Sequence, residues 1–199
     1  KPLAKIMAKQ DAVLLASNNI INSAFISANN NLTVKAKNIV NASIVNTNQQ
    51  NLLQNQFYVN QATEKLETFS SIVDVATMLG KNINLEAENN ITNLSANISA
   101  DQNLLMQGNN IEIGTLNLVN SQTYKTGSGN NYMQKTITES RNVASNISTS
   151  ENMQIVANND FMFLGSNIEA KKDLNISAEN TINISAVADY TNINISGKQ

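Results

Sequence analysis

The chain of 199 residues contains no cysteine, no histidine and no tryptophan, and it has a single proline. Without cysteine the chain can form neither disulfides nor a reactive thiolate. Without histidine it lacks the commonest general base and metal ligand. These absences weigh against catalysis and metal binding, and we predict no catalytic residue, no cofactor and no metal site.

Long apolar runs and an excess of basic charge are also absent. No apolar stretch approaches the ~20 residues that span a bilayer, and Lys1–Lys9 lacks the continuous apolar segment of a signal peptide. The formal net charge of −2 gives no basic field for nucleic acid. We therefore expect neither a membrane-spanning segment nor a nucleic-acid partner. Because the first residue is Lys1, we expect the chain to be a segment of a longer protein.

Asparagine is what the chain has in abundance, with 37 residues, and it alternates with apolar residues. In Lys172–Ala186, apolar side chains fall at every second position of two short runs, and Glu179–Thr181 forms a polar corner between them. Strict alternation is typical of a strand with one buried and one solvated face.

The alternating pattern repeats along the chain. Met153–Phe163 aligns without gaps on Leu174–Ile184, and Ile83–Ile91 recurs as Leu104–Ile111. The offset in both cases is about 21 residues, within the range of solenoid repeats. A longer period of roughly 70 residues begins near Ala12, Ile83 and Met153. A short period built from strands and polar corners indicates a solenoid.

These repeats predict an all-β fold, a parallel β-helix with about 20 residues per coil. We predict one β-helical repeat segment over 1–199, with coils at about 12–45, 81–118 and 151–197. Two excursions, at about 46–80 and 119–150, interrupt the coils and protrude from them. Asparagine at the corners is expected to adopt positive φ and to form amide hydrogen-bond ladders between coils. The corner pairs are Asn89–Asn90, Asn109–Asn110 and Asn158–Asn159.

The two excursions differ in pattern. The first ends with apolar residues at helical spacing from Ala62 to Ala76, followed by Gly80, which allows either a short helix or a hairpin. The second contains a Gly/Asn turn near Gly127 that favours a hairpin. Four aromatic residues of the excursions are candidate partner contacts, although they could equally pack the excursions onto the coils: Phe57, Tyr58, Tyr124 and Tyr132.

Acidic residues are scattered rather than convergent. Glu86 and Glu88 share the outer face of one strand, and we interpret them as a solvated surface rather than a catalytic pair. The alternative of a β-helical carbohydrate-active enzyme would need convergent carboxylates.

At Gly165–Ala178 and at Asn97–Leu104 the chain resembles the haemagglutinin repeats of filamentous-haemagglutinin-like exoproteins of two-partner secretion systems. This family includes large adhesins and contact-dependent growth-inhibition effectors. The resemblance implies a right-handed parallel β-helix that is exported through an outer-membrane transporter and displayed on the bacterial cell surface.

We therefore expect a non-catalytic, structural and adhesive segment of a secreted, extracellular fibre. Its loops would contact a receptor or glycan on a host or neighbouring cell. The alternative within the same architecture is the stalk of a contact-dependent toxin-delivery effector.

Overall fold

The computed structural model describes residues 4–55, 62–128 and 130–198. These residues form 21 β-strands and no helix, which confirms the all-β prediction. In chain order the strands are β1 (Lys5–Ala8), β2 (Ala12–Leu15), β3 (Asn19–Asn22), β4 (Phe25–Ala28), β5 (Asn31–Ala42), β6 (Val45–Asn55), β7 (Ala62–Ile72), β8 (Thr77–Gly80), β9 (Asn82–Leu94), β10 (Asn97–Ala100), β11 (Leu104–Gly108), β12 (Asn110–Gly114), β13 (Leu116–Ser128), β14 (Asn131–Val143), β15 (Asn146–Thr149), β16 (Met153–Ala157), β17 (Asp160–Leu164), β18 (Asn167–Ala170), β19 (Leu174–Ala178), β20 (Thr181–Ser185) and β21 (Tyr190–Lys198).

The chain alternates between two compact units. The parallel unit consists of Lys1–Ile44, Val73–Leu116 and Val143–Val187. The antiparallel unit consists of Val45–Ile72, Asn117–Asn142 and Ala188–Gln199.

Within its described residues, the parallel unit contains three ladders of six parallel strands. The first ladder is β1-β4-β8-β10-β15-β18, the second is β2-β5-β9-β11-β16-β19, and the third is β3-β5-β9-β12-β17-β20. The long strands β5 and β9 serve both the second and the third ladder. We call each set of neighbouring strands that adds one layer to the three ladders a rung. This arrangement is consistent with a parallel β-helix, whose right hand and coil size remain predictions.

The pairing follows the sequence repeat. Met153 pairs with Leu174, and Ile83 pairs with Leu104, so strands that are one short repeat apart in sequence lie side by side. Apolar residues at matching positions therefore stack on one another along each ladder. The resulting buried cluster takes side chains from all three ladders, among them Ile98, Met106 and Phe161.

The last rung in chain order, formed by β18, β19 and β20, pairs with another rung of the described residues on one side. Leu174 and Ile184, which belong to the alternating apolar positions of Lys172–Ala186, are 45% and 68% exposed in this rung. Their pairing partners, Met153 and Phe163, belong to the rung before them and are less exposed.

A column of asparagine amides lies inside the parallel unit. Asn22 Nδ2 donates to Asn41 Oδ1 at 2.7 Å, and Asn41 Nδ2 donates to Asn93 Oδ1 at 2.7 Å. The column ends on the Ala96 carbonyl, which accepts from Asn93 Nδ2 at 3.0 Å. At the next rung the position paired with Asn93 is Ile113. The buried amides are thus partnered, as burial of polar groups requires.

Buried serine hydroxyls join the points where the chain leaves the ladders and returns. Ser43 Oγ accepts from the Ala76 N–H at 3.0 Å, across an insertion that contains β6 and β7. Ser145 Oγ donates to the Gly114 carbonyl at 2.7 Å, across the insertion of β13 and β14. These bonds satisfy backbone groups that lose their ladder partners, so the ladders keep their register through both insertions.

The antiparallel unit is a five-stranded sheet in the order β21-β14-β13-β7-β6 within the described residues. β6 pairs with β7, and β14 with β21, in antiparallel register. The Thr123–Thr136 and Ser121–Thr138 hydroxyl contacts place β13 and β14 in antiparallel register as well. Both insertions are therefore hairpins, which was one of the two predicted alternatives.

The other alternative, a helix between Ala62 and Ala76, is wrong. β7 occupies Ala62–Ile72, and its backbone groups pair with those of β6 over eleven positions. This ladder outweighs a helical spacing that involves few apolar residues. Gly80 ends β8 rather than a helix, and a Cβ there would lie 3.0 Å from Ile83 Cγ1.

The predicted positive φ of the corner asparagines is also wrong. Among the described non-glycine residues, Ser95 alone has a positive φ, of 46°. The predicted amide ladders are confirmed, because Asn110 Nδ2 donates to Asn90 Oδ1 and Asn159 Nδ2 donates to Asn110 Oδ1. Neighbouring rungs thus hold the corner side chains without a left-handed backbone.

Candidate functional surfaces

Tyr124 lies in the middle of β13 and is held by its neighbours in the antiparallel sheet. Lys65, its cross-strand partner on β7, places Nζ 5.6 Å from the centroid of the Tyr124 ring. The Tyr124 hydroxyl donates to Gln122 Oε1 at 2.8 Å. Lys65 also forms an ion pair with Glu67, and Glu67 raises the pKa of Lys65. The ring is therefore half-buried and fixed in orientation, with a cation beside it.

Tyr132 lies on β14 and has a similar partner, since Lys125 Nζ is 5.1 Å from the centroid of its ring. The two tyrosines lie on opposite faces of the sheet. Thr123 and Thr136 share one face because their hydroxyls are in contact, and alternation places Tyr132 on that face and Tyr124 on the other. The structure therefore does not bring Tyr124 and Tyr132 together. Phe57 and Tyr58 lie outside the described residues.

Glu86 and Glu88 line a groove of about 550 Å³ on the outer face of the parallel unit. Glu86 accepts from Lys35 Nζ at 2.8 Å and from Asn84 Nδ2 at 2.6 Å. The Lys35 ammonium, followed by the Asn84 amide, holds the pKa of the Glu86 carboxyl below its usual value. A carboxylate paired in this way is stabilised in its charged form, which is the opposite of what a general acid requires.

In the part of the chain that the structure describes, the aspartate and glutamate residues form no group of three or more that could hold a metal ion. No helix in the same residues is long and apolar enough to cross a bilayer.

Sequence reasoning missed a polar groove of about 580 Å³ that follows the second ladder of the parallel unit. Two rows of residues line it, and each row takes one residue from each of five neighbouring strands or from the residue just before the strand. The first row is Asn31, Asn82, Asn103, Asn152 and Asp173. The second row is Thr33, Asn84, Leu105, Gln154 and Asn175.

The signal for this groove was present in the repeat. The repeat alignment places the outward positions of successive rungs in register, as the pairing of Gln154 with Asn175 shows. The apolar positions of that alignment indicate the buried face of each strand. The polar positions between them, on the solvated face, line the groove.

An all-β chain with stacked parallel ladders and a continuous apolar core is of the solenoid class. Residues 126–198 match the family model described as the hemagglutinin repeat. The match includes Gly165–Ala178, where the sequence resemblance was seen, and it supports a filamentous-haemagglutinin-like repeat region in this chain. It also supports a structural, adhesin-like segment of a large exoprotein. No curated protein and no solved structure matches the chain.

Proposed function

We propose that this chain is a non-catalytic, structural and adhesive segment of a large secreted fibre on a bacterial cell surface. The observation that carries the proposal is the set of three parallel ladders around one apolar core, in a chain whose residues 126–198 match the hemagglutinin repeat. Such a stack transmits load through backbone hydrogen bonds and adds length with each rung, which are the properties a fibre needs.

The composition supports secretion in an unfolded form through an outer-membrane transporter. The chain has no cysteine to oxidise and a single proline, so neither disulfide exchange nor repeated prolyl isomerisation delays folding. Each rung contacts its neighbours, and folding could therefore proceed rung by rung as the chain emerges.

The proposal assigns contact with a receptor on a host or neighbouring cell to the antiparallel sheet. Tyr124 supports this assignment because it is an aromatic residue of fixed orientation with the Lys65 ammonium beside it. Rigid aromatic side chains contribute strongly to protein interfaces. Tyr132 provides the matched comparison on the opposite face.

The test measures retention of beads coated with the full chain on epithelial cells and on bacteria. We expect Tyr124→Ser to reduce retention several-fold and Tyr132→Ser to leave it nearly unchanged, with thermal unfolding showing that both variants fold. Equal retention of all three proteins would contradict the assignment to Tyr124. The stalk of a separate toxin would give no retention of the isolated chain, so the assay also separates the adhesive role from that alternative.

A further inference from the structure

The polar groove of the parallel unit has no role in the contact that is proposed for the antiparallel sheet. We propose that this groove binds a neutral, linear oligosaccharide. The inference goes beyond the proposed adhesive contact and rests on a different unit of the chain.

The groove has a regular spacing. Its residues come from strands paired in parallel, so equivalent side chains recur at about 4.8 Å along each row. Residues two apart on a strand point to the same side, and the two rows therefore face the groove together. A ligand that matches this arrangement is itself linear, with polar groups at regular intervals.

The charge of the groove selects against an anionic ligand. Among the described residues that line it, Asp173 alone carries a charge, and it is negative. No lysine or arginine among them could bind a sulfate, a phosphate or a carboxylate. The amides of the first row bond to one another along the row, as Asn82 Nδ2 does to Asn31 Oδ1 and Asn103 Nδ2 does to Asn82 Oδ1. The second row adds the amides of Asn84, Gln154 and Asn175. An amide has both a donor and an acceptor, and this combination suits the hydroxyls of a neutral sugar. Leu105 supplies one apolar contact for the C–H face of a sugar ring.

Asn84 provides a second, independent observation. Its Nδ2 donates to Glu86 Oε1 at 2.6 Å, which fixes the orientation of the amide. Its Oδ1 is buried and accepts no hydrogen bond. A buried acceptor without a donor destabilises the free protein, and a sugar hydroxyl in the groove would supply the donor. Because the oxygen is covered, a neighbouring side chain must move before a sugar hydroxyl reaches it, and Leu105 is the residue paired with Asn84 on the next strand.

Isothermal titration calorimetry of the full chain tests the proposal. The probes are neutral linear hexasaccharides of β-1,4-glucose, β-1,4-N-acetylglucosamine, α-1,4-glucose and β-1,3-glucose, with a heparin hexasaccharide as the anionic comparison. We expect at least one neutral probe to bind and heparin not to bind. For the probe that binds, Asn84→Leu should weaken affinity roughly tenfold, because one hydrogen bond is lost.

Two further variants locate the site. Gln154 and Gln107 are both outward-facing glutamines on adjacent strands of the same ladder, but Gln154 lines the polar groove and Gln107 does not. Gln154→Ala should weaken binding several-fold, and Gln107→Ala should leave it within about twofold. Thermal unfolding of Asn84→Leu separates a loss of binding from a loss of folding. The substitution removes the unpaired acceptor together with the Nδ2 bond to Glu86, and these losses oppose each other, so the variant should melt within a few degrees of the parent while it binds more weakly.

Four results would overturn the proposal: no neutral probe binds at millimolar concentration, heparin binds better than every neutral probe, Gln107→Ala weakens binding as much as Gln154→Ala, or Asn84→Leu binds as the parent does. None of these results bears on Tyr124, so the adhesive contact of the antiparallel sheet stands or falls separately.

Discussion

The parallel and antiparallel units are held together in different ways. In the parallel unit, buried apolar residues pair with one another between rungs, as Ile98 does with Met78 and Ile147. No described residue of the antiparallel unit belongs to that buried cluster. Its sheet relies on cross-strand pairs, such as Thr123 with Thr136. The chain therefore contains both a solenoid with an apolar core and a sheet held by cross-strand pairs, and the sheet has the smaller share of apolar residues.

The largest effect should come from an apolar truncation in the core. Ile98 is fully buried and pairs with Met78 on one side and Ile147 on the other. Ile98→Ala should lower the free energy of unfolding by about 3 kcal/mol, because it leaves a cavity between two rungs. In the antiparallel unit, Ile193 is 56% exposed, and Ile193→Ala should change stability by less than about 0.5 kcal/mol. Urea unfolding followed by circular dichroism measures the free energy of unfolding of both variants. Similar losses in the two variants would contradict the claim that only the parallel unit depends on a buried apolar core.

A buried amide should contribute more than a hydroxyl pair of the surface sheet. Asn41→Ala removes both amide–amide bonds of the central residue of the column, together with its bond to the Asn97 carbonyl, and should cost about 2 kcal/mol. Thr136→Ala removes one contact with Thr123 in the antiparallel unit and should cost about 0.5 kcal/mol. The same urea titration applies. If Asn41→Ala costs no more than Thr136→Ala, the column contributes little to stability.

The serine that closes the second insertion should have an intermediate effect. In Ser145→Ala, the Ala96 N–H loses its acceptor and the Gly114 carbonyl loses a donor, at a cost of about 1.5 kcal/mol. Amide hydrogen exchange should show faster exchange at Ala96. Ser121→Ala, which removes a hydroxyl contact within the antiparallel sheet, is the matched control and should leave Ala96 unaffected. Unchanged exchange at Ala96 in Ser145→Ala would show that another group holds that N–H.

The smallest effects should come from the ion pairs, and they should have opposite pH dependence. The folded pKa of Glu86 lies below its usual value, so its contribution is present above pH 4.5 and is lost as the pH falls through the lowered pKa. The folded pKa of Lys65 lies above its usual value, so its contribution is present below pH 10.5 and is lost as the pH rises through the raised pKa. Both pairs are partly solvated, and salt should weaken them.

Nuclear magnetic resonance titration of the Glu86 carboxyl checks the acid side. Lys35→Ala should move the pKa of Glu86 back toward its usual value, and Glu67→Gln should do the same for the pKa of Lys65. A Glu86 pKa that is unchanged by Lys35→Ala would assign the shift to Asn84 instead.

The sequence predicted the pairing of the parallel unit because stacked rungs repeat the same apolar positions. The gapless alignment of Met153–Phe163 with Leu174–Ile184 is the register that the strands adopt. The amide ladders were also predictable, since asparagine recurs at equal offsets. A repeat specifies the register of the strands because each residue pairs with the residue at the same position of the next repeat.

The antiparallel unit offered no such repeat. The spacing of apolar residues from Ala62 to Ala76 favoured a helix as much as a hairpin, and the eleven-position pairing with β6 decided the outcome. The opposite faces of Tyr124 and Tyr132 depend on the register between β13 and β14, which no periodicity specifies. Asn84 bonds to Glu86 through Nδ2 and leaves Oδ1 unpaired, and a sequence contains no direct sign of either contact.

The amide column that stops at Ile113 has a consequence for the fidelity of folding. Rungs that all had the same interior would be interchangeable, and a strand could join the wrong neighbour with little loss of apolar contact. Here an interior asparagine bonds to the amide of the neighbouring rung where that rung also has an asparagine. At the boundary between Asn93 and Ile113, the Asn93 amide bonds to the Ala96 carbonyl instead. Displacement by one rung would place an asparagine beside a hydrocarbon and would remove an amide–amide bond of 2.7 Å. The column thus distinguishes rungs that are otherwise similar, and it favours pairing of each strand with its correct neighbour.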